Sequence, residues 1–293
     1  MRTFAGLLLP VLVVTLLFSL WRWESYPPEQ PVYPVSRTIK YSLTVRNPSH
    51  EPVAKAAFWV SVPLASAAYQ VRDEIQTSHL YRLETDSLGN QRLVFEVTNL
   101  PPYAKRSYSV TARVRLASTP NRTPEILAED YLSEAPYVEI GDREVQSLAR
   151  QLEGDTTQQT VENTFRWITA NIRKSGYTKR EHGSVQTLQT KKGDCTDVMY
   201  LFSALSRANA IPSRNLAGFL VSESARLNPR DYHNWVEVYV DGRWRLIDPD
   251  KRVFMDSATQ YIAMSLLDAA NARLTEEQSG LFGGTENIHL SMN

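Results

Sequence analysis

The chain has 293 residues, of which 42% are hydrophobic and 22% charged, with 32 basic and 32 acidic side chains. That length supports about two domains, and the composition is that of a folded globular protein, which excludes a disordered chain. Zero net charge without any block of like charges removes the general argument for nucleic acid or another polyanion as partner.

The first predicted element is a membrane anchor. Arg2 precedes an uncharged run at residues 4–20. At about 1.5 Å per residue this run spans roughly 25 Å, enough for a slightly thin bilayer core. Trp21 and Trp23 follow, where indoles favour the membrane interface. The run is long and no small-x-small cleavage site follows it, so residues 1–23 are expected to be an uncleaved transmembrane helix rather than a removed signal. Without a cysteine near residue 20 a lipoprotein is excluded. The three-residue basic start favours a cytoplasmic N-terminus and a body outside the cytoplasm. For a bacterial protein that means a single-pass inner-membrane protein with its body in the periplasm. Pro27, Pro28, Pro31 and Pro34 make residues 24–35 a stiff, extended spacer.

Residues 36–118 read as a small all-β sandwich. Apolar and polar residues alternate at 38–45 and 108–116, residues 57–62 form a strand ending at Pro63, and residues 80–97 read as a hairpin turning at 87–90. His50 and His79 are isolated there and read as ordinary surface or strand histidines. Residues 119–136 read as a linker. Asn121-Arg122-Thr123 matches a glycosylation acceptor, which a bacterial source would leave unused.

From residue 137 the pattern becomes α+β. Val145, Leu148 and Leu152 define one helical face, and Val161, Phe165, Trp167, Ile168 and Ile172 a second. A polar loop at 174–192 leads to a third helix at 194–209, with Val198, Leu201, Phe202 and Leu205 on one side. Strands are expected at 214–221, 233–240 and 243–248, then a peripheral helix at 256–274 and an edge strand at 287–292. Residues 137–293 are thus expected to form the catalytic domain.

The chemistry gathers at three residues of this second region. Cys195, the only cysteine, sits at the loop-to-helix junction Gly193-Asp194-Cys195-Thr196-Asp197. The first turn of a helix presents unpaired N–H groups and the positive end of the dipole, which favours a thiolate nucleophile and an oxyanion beside it. Gly193 is expected to let a substrate approach the backbone, and Asp197 to cap the first turn. His233 opens a strand, and Asp241-Gly242 suits a two-residue hairpin. In that register His233 and Asp248 are diagonal neighbours on one face, roughly 7 Å apart between Cβ atoms or less. Asp248 then orients the imidazole that faces Cys195, the arrangement of nucleophile, base and orienter. Asp250 is the rival orienter, directly opposite His233, and Pro249 favours Asp248 by ending the pairing. One thiolate, one imidazole and one carboxylate is an uncommon zinc set, so neither a metal nor a cofactor is expected.

The same residues resemble a family. The run from Gly193 through Cys195 to Ile211-Pro212-Ser213-Arg214, followed by the hairpin from His233-Asn234-Trp235 to Asp248-Pro249, is similar to the core of the transglutaminase-like superfamily over about residues 140–255. The resemblance implies a papain-like fold and the roles of Cys195, His233 and Asp248, and an all-β domain in front is similar to those of bacterial members. Thr196 stands where the animal transglutaminases have Trp, and no calcium-binding acidic cluster is evident. Both departures fit the bacterial branch better than a cross-linking enzyme. Gln189 has the spacing of the oxyanion-hole glutamine of papain-like enzymes, a spacing that is not a reliable marker in this superfamily. Trp235 and Trp244 are candidates to wall the acyl site, against the commoner role of strand aromatics as core, and His182 is a candidate to line the cleft.

A membrane-anchored periplasmic thiol enzyme is the expected function. It would cleave or transfer acyl groups at amide bonds of proteins or peptides through a thioester, with envelope proteins as further partners of the β domain. The alternative is a catalytically silent scaffold or binding protein on the same fold.

Overall fold

The computed structural model describes residues 31–122, 129–176, 182–267 and 280–293. The expected anchor at 1–23 and the spacer as far as residue 30 lie outside the described residues. Among those described, no helix is long and apolar enough to cross a membrane. The molecule is of mixed α/β type, with a β-rich N-terminal region.

That region carries β1 (Val35–Arg46), β2 (Val53–Ser61), β3 (Ser66–Ala67), β4 (Gln70–Thr77), β5 (Arg82–Thr85), β6 (Gln91–Leu100) and β7 (Lys105–Leu116). Period-two alternation explains these strands. On β1, Ile39, Tyr41, Leu43 and Val45 are buried, and on β7, Tyr108, Val110, Ala112, Val114 and Leu116. They share one core with Phe58 and Val60 of β2 and Leu93, Phe95 and Val97 of β6. Phe58 stacks on Phe95 at 5.1 Å between ring centroids.

The second region runs α1 (Arg143–Leu152), α2 (Thr157–Asn171), β8 (Arg173–Lys174), α3 (Ser184–Thr190), β9 (Lys192–Gly193), α4 (Cys195–Ala208), β10 (Ser213–Leu220), β11 (Ala225–Arg226), β12 (Tyr232–Val240), β13 (Arg243–Asp248), β14 (Val253–Phe254), β15 (Tyr261–Leu266), β16 (Phe282–Gly284) and β17 (His289–Met292). Its sheet has the order β14-β13-β12-β10-β15. Every residue of α4 from Asp197 to Arg207 is buried, the mark of a central helix rather than an amphipathic surface one. Its apolar side chains pack with Val236, Val238 and Val240 of β12 and with Val145, Leu148, Val161 and Ile168 of α1 and α2. At the β12–β13 turn Asp241 and Gly242 both take positive φ, 54° and 73°, as a two-residue hairpin turn requires. The resulting register pairs Val240 with Arg243 and Val236 with Ile247.

Two features depart from the sequence reading. The peripheral helix expected at 256–274 is instead strand β15 over Tyr261–Leu266, paired with β10; residues 268–274 lie outside those described. Ile262 and Met264 face the N-terminal core, and Tyr261 and Ala263 face a cluster around Trp235 and Trp244. A strand buried on both faces is apolar throughout, so it shows no period of two. The C-terminal strands return to the N-terminal region: β16 pairs with β2 and β17 with β1. Tyr33–Asn293 accordingly form one compact unit.

Gly218 lies on β10 opposite His233, next to a register shift in the pairing with β15. A Cβ at this position would stand 2.0 Å from the Ile262 carbonyl oxygen, and the backbone has no room to yield. Gly218→Ala is therefore expected to cost about 3 kcal/mol or more, read as a lower urea midpoint; an unchanged midpoint would show that β10 and β15 tolerate separation here.

Candidate active site

The site begins with the cap of α4. Asp194 is the N-cap, and one of its side-chain oxygens accepts from the N–H groups of Thr196 and Asp197 at 2.9 and 3.2 Å. The Asp197 carboxylate accepts in return from the Asp194 N–H at 3.1 Å, completing a capping box. This fixes Cys195 as the first helical residue, half-buried. The box also uses the neighbouring donors, so among the first-turn N–H groups only that of Cys195 lacks a partner among the described residues. One oxyanion donor is available, rather than the several that a bare helix end would supply.

Gly193 serves the same cap. A Cβ on it would meet the Asp197 Cβ at 2.7 Å and Thr187 Cγ2 at 3.2 Å. The room expected for a substrate is filled by the buried side of the capping box. Asp197 also accepts from the His182 N–H at 3.0 Å, with the His182 ring 3.5 Å away. Burial pushes the Asp197 carboxyl up, and the Asp194 and His182 N–H groups only partly oppose this.

His233 stands near enough to Cys195 for the two to influence each other's charge. Its Nε2 is 2.7 Å from Asp248 Oδ2, which leaves Nδ1 for the sulfur. Asp248, 1% exposed, is held on both oxygens. The Tyr261 hydroxyl donates to Oδ2 at 2.9 Å, and the Lys251 N–H to Oδ1 at 3.0 Å. The rival Asp250 is turned away: Lys174 Nζ binds it at 2.8 Å, and Lys251 Nζ lies 3.7 Å off. The partner of His233 is therefore Asp248.

These contacts set the charge state. Burial opposes protonation of His233, but the hydrogen bonds to Asp248 and Cys195 and their negative charges outweigh it, raising its pKa to about 9. Tyr261 is pushed well above the ordinary phenol value by burial and then by the Asp248 carboxylate. Its hydroxyl remains a donor at any working pH. Lys174 is raised by its bond to Asp250, and it also feels the charges of Cys195 and Asp248.

The remaining sequence candidates take other places. Trp235 is 1% exposed and packs edge-on against Tyr261 at 5.1 Å, so it stands behind the site with no face open to solvent. Trp244 is buried in the same cluster, under the guanidinium of Arg214. Gln189 is exposed on α3, and its side chain makes no hydrogen bond among the described residues. Tyr261 and Lys174 escaped the sequence reading. Tyr261 sat in a stretch read as helix, and an isolated Lys carries no sequence signal.

The sequence model of the transglutaminase-like superfamily matches residues 146–249. No curated protein sequence matches the chain. Among solved structures, a candidate cysteine protease of Cytophaga hutchinsonii superimposes with a TM-score of 0.56 at 19% identity, over 88% of this chain and 92% of that one. This likeness establishes the fold alone. The periplasmic domain of TgpA from Pseudomonas aeruginosa aligns over 72% of this chain and 87% of that one, at 16% identity and a TM-score of 0.40, a score too low to carry an argument.

Two expectations follow from the geometry. The folded state raises the His233 pKa from 6.5 to about 9, so this group's stabilisation is fully present below pH 6.5 and is lost as pH rises through about 9. Unfolding free energies from urea titrations at pH 6 and pH 10 should differ by up to roughly 3 kcal/mol more in the wild type than in His233→Gln. Tyr261→Phe removes a donor to a buried carboxylate and should cost about 2 kcal/mol. Equal midpoints for Tyr261→Phe and wild type would show that Asp248 does not need the phenol.

Proposed function

From a chain whose residues 146–249 form a domain of the transglutaminase-like superfamily, we propose a cysteine-dependent enzyme that cleaves or transfers acyl groups at amide bonds of proteins or peptides. The observation that carries this reading is the buried His233–Asp248 hydrogen bond at 2.7 Å, with Cys195 near enough to help raise the imidazole's pKa.

The chemistry follows from the placement of each group. The sulfur of Cys195 attacks the amide carbonyl carbon, and the carbonyl oxygen takes up negative charge beside the Cys195 N–H. With its pKa near 9, His233 carries a proton at neutral pH, and the imidazolium stabilises the charge on the attacking sulfur. As the tetrahedral intermediate collapses, the C–N bond breaks and His233 gives its proton to the leaving amine. A thioester remains on Cys195. Neutral His233 then takes a proton from the acceptor, water or an amine, which attacks the thioester and releases the sulfur. Asp248 keeps the imidazole in one orientation throughout. Both fates of the thioester use every one of these groups.

The uncharged run at residues 4–20, followed by Trp21 and Trp23, supports an N-terminal helix in the inner membrane with the body in the periplasm. Envelope proteins and peptides are then the substrates within reach, and the β-rich region is the surface for envelope partners. The reading requires neither a cofactor nor a metal.

A thiol-reactive activity probe is expected to label Cys195, and His233→Ala to slow labelling at least ~100-fold. Labelling indifferent to His233 would sink the enzyme reading. Mass spectrometry of envelope peptides from wild-type and Cys195→Ala cells should show product peptides, or amine-modified ones, only in the wild type. For location, a reporter fused after Asn293 should be active outside the cytoplasm; activity only inside would overturn the orientation.

A further inference from the structure

The residues that follow Cys195 and His233 are themselves hydrogen-bonded: Asn234 Nδ2 donates to Thr196 Oγ1 at 2.7 Å. We propose that this bond is a clasp that positions the thiol of Cys195 against the imidazole of His233, making Thr196 and Asn234 positioning residues for acyl transfer. The proposal rests on the enzyme reading of Cys195 and His233.

Strand geometry gives such a device a task. Successive side chains of a strand point to opposite faces. Asn234 shares its face of β12 with Val236 and Val238, which pack against α4. His233 leaves the strand on the other face, that of Trp235, which packs in a separate cluster. The imidazole therefore starts on the side away from the nucleophile's helix and has to meet the sulfur at the strand's end. Nothing in the β12–β13 pairing holds the first turn of α4 in reach. Asn234 does so, and it grips the residue adjacent to the nucleophile. Thr196 is held twice, by its backbone N–H on Asp194 and by its side chain on Asn234. Thr196 is separated from Cys195 by a single peptide bond.

Stability alone does not account for an amide here. Asn234 is 8% exposed, and its Oδ1 is buried with no hydrogen-bond partner among the described residues. A buried acceptor left unpaired is a cost to the fold that an apolar residue on this apolar face would avoid. The amide is retained with half of its capacity unused, and the half in use faces Thr196.

The charged and titratable groups around the imidazole are Cys195 from α4, Asp248 from β13 and, on Asp248, the Tyr261 hydroxyl from β15. Lys174 of β8, paired with Asp250, interacts with Cys195 and Asp248 through charge. Thr196 and Asn234 carry no charge, so a change at either reaches the imidazole through position only.

The test is the rate of Cys195 alkylation by iodoacetamide, a neutral reagent, on the full chain from pH 5 to pH 10. In the wild type the imidazolium partner should keep the thiol reactive at pH 6. Thr196→Val keeps the shape and removes the acceptor. It should lower the rate at pH 6 at least tenfold and leave the rate at pH 10, where His233 is neutral, within twofold of wild type. Thr196→Ser should restore the wild-type profile. Asn234→Leu should reproduce the Thr196→Val profile from the other side of the bond and serves where Thr196→Val does not fold. A structural role would lower thermal stability without changing the ratio of the two rates. Either variant folding with the wild-type ratio overturns the clasp and leaves the enzyme reading standing. A wild-type rate at pH 6 that is indifferent to His233→Ala overturns both.

Discussion

The start of helix α4 is the constraint on which the rest of the site depends. The Asp194–Asp197 capping box determines which residue is the first of the helix, and that residue is Cys195. A shift by one position would turn the sulfur about 100° around the axis and remove it from His233. The cap therefore has to be rigid, and Gly193 makes it so by leaving space for Asp197 to sit against the preceding backbone. Burial of α4 on every side then carries that placement into the core. The helix touches the sheet on one face and α1 to α3 on the others, so its end cannot drift without repacking the domain.

The opposite wall of the site is built from the β-rich N-terminal region as much as from the sheet of the second region. The Tyr69 hydroxyl accepts the Leu246 N–H at 3.1 Å, two residues before Asp248. Gln70 binds the Leu64 and Ala263 carbonyl oxygens and accepts the Ala263 N–H, two residues after Tyr261. Asp248 and Tyr261, the orienting carboxylate and its phenol, thus stand near backbone that Tyr69 and the first residue of β4, Gln70, secure. Since β16 and β17 also complete the N-terminal sheets, the position of Asp248 depends on residues drawn from nearly the whole described chain.

Charge at the site is divided between two carboxylates with separate tasks. Asp248 is buried and points at His233, where it sustains the imidazolium against the cost of burial. Asp250, two residues on, binds Lys174. This separation keeps the second negative charge from competing for the imidazole. It also ties β8, which runs parallel to the segment leading into Cys195, to the turn after β13. Pairing a charge with a nearby opposite charge in this way is what makes two neighbouring carboxylates in a buried site tolerable.

Much of this was legible in the sequence, because much of it is local. Period-two alternation in β1 and β7, helical periodicity in α1 and α2, and the Asp241-Gly242 turn are properties of short segments, and the turn alone dictated the β12–β13 register. The cysteine's place at a helix start could be read from Gly193-Asp194-Cys195, and the His233–Asp248 pairing followed from the hairpin. What the sequence could not supply depends on partners distant along the chain. Tyr261 could be assigned neither to a strand nor to Asp248, because a segment buried on both faces has no period, and only pairing with β10 makes it a strand. That Asp250 is held elsewhere, by the Lys174 ammonium brought in from β8, was not legible in the sequence. The use of the helix-end donors by the capping box, which leaves Cys195 with its own N–H alone, was likewise a matter of side chains meeting in three dimensions. Local pattern singled out the candidate residues of the site; tertiary packing decided which neighbours hold them, since hydrogen bonds between distant segments form only after the chain has closed on itself.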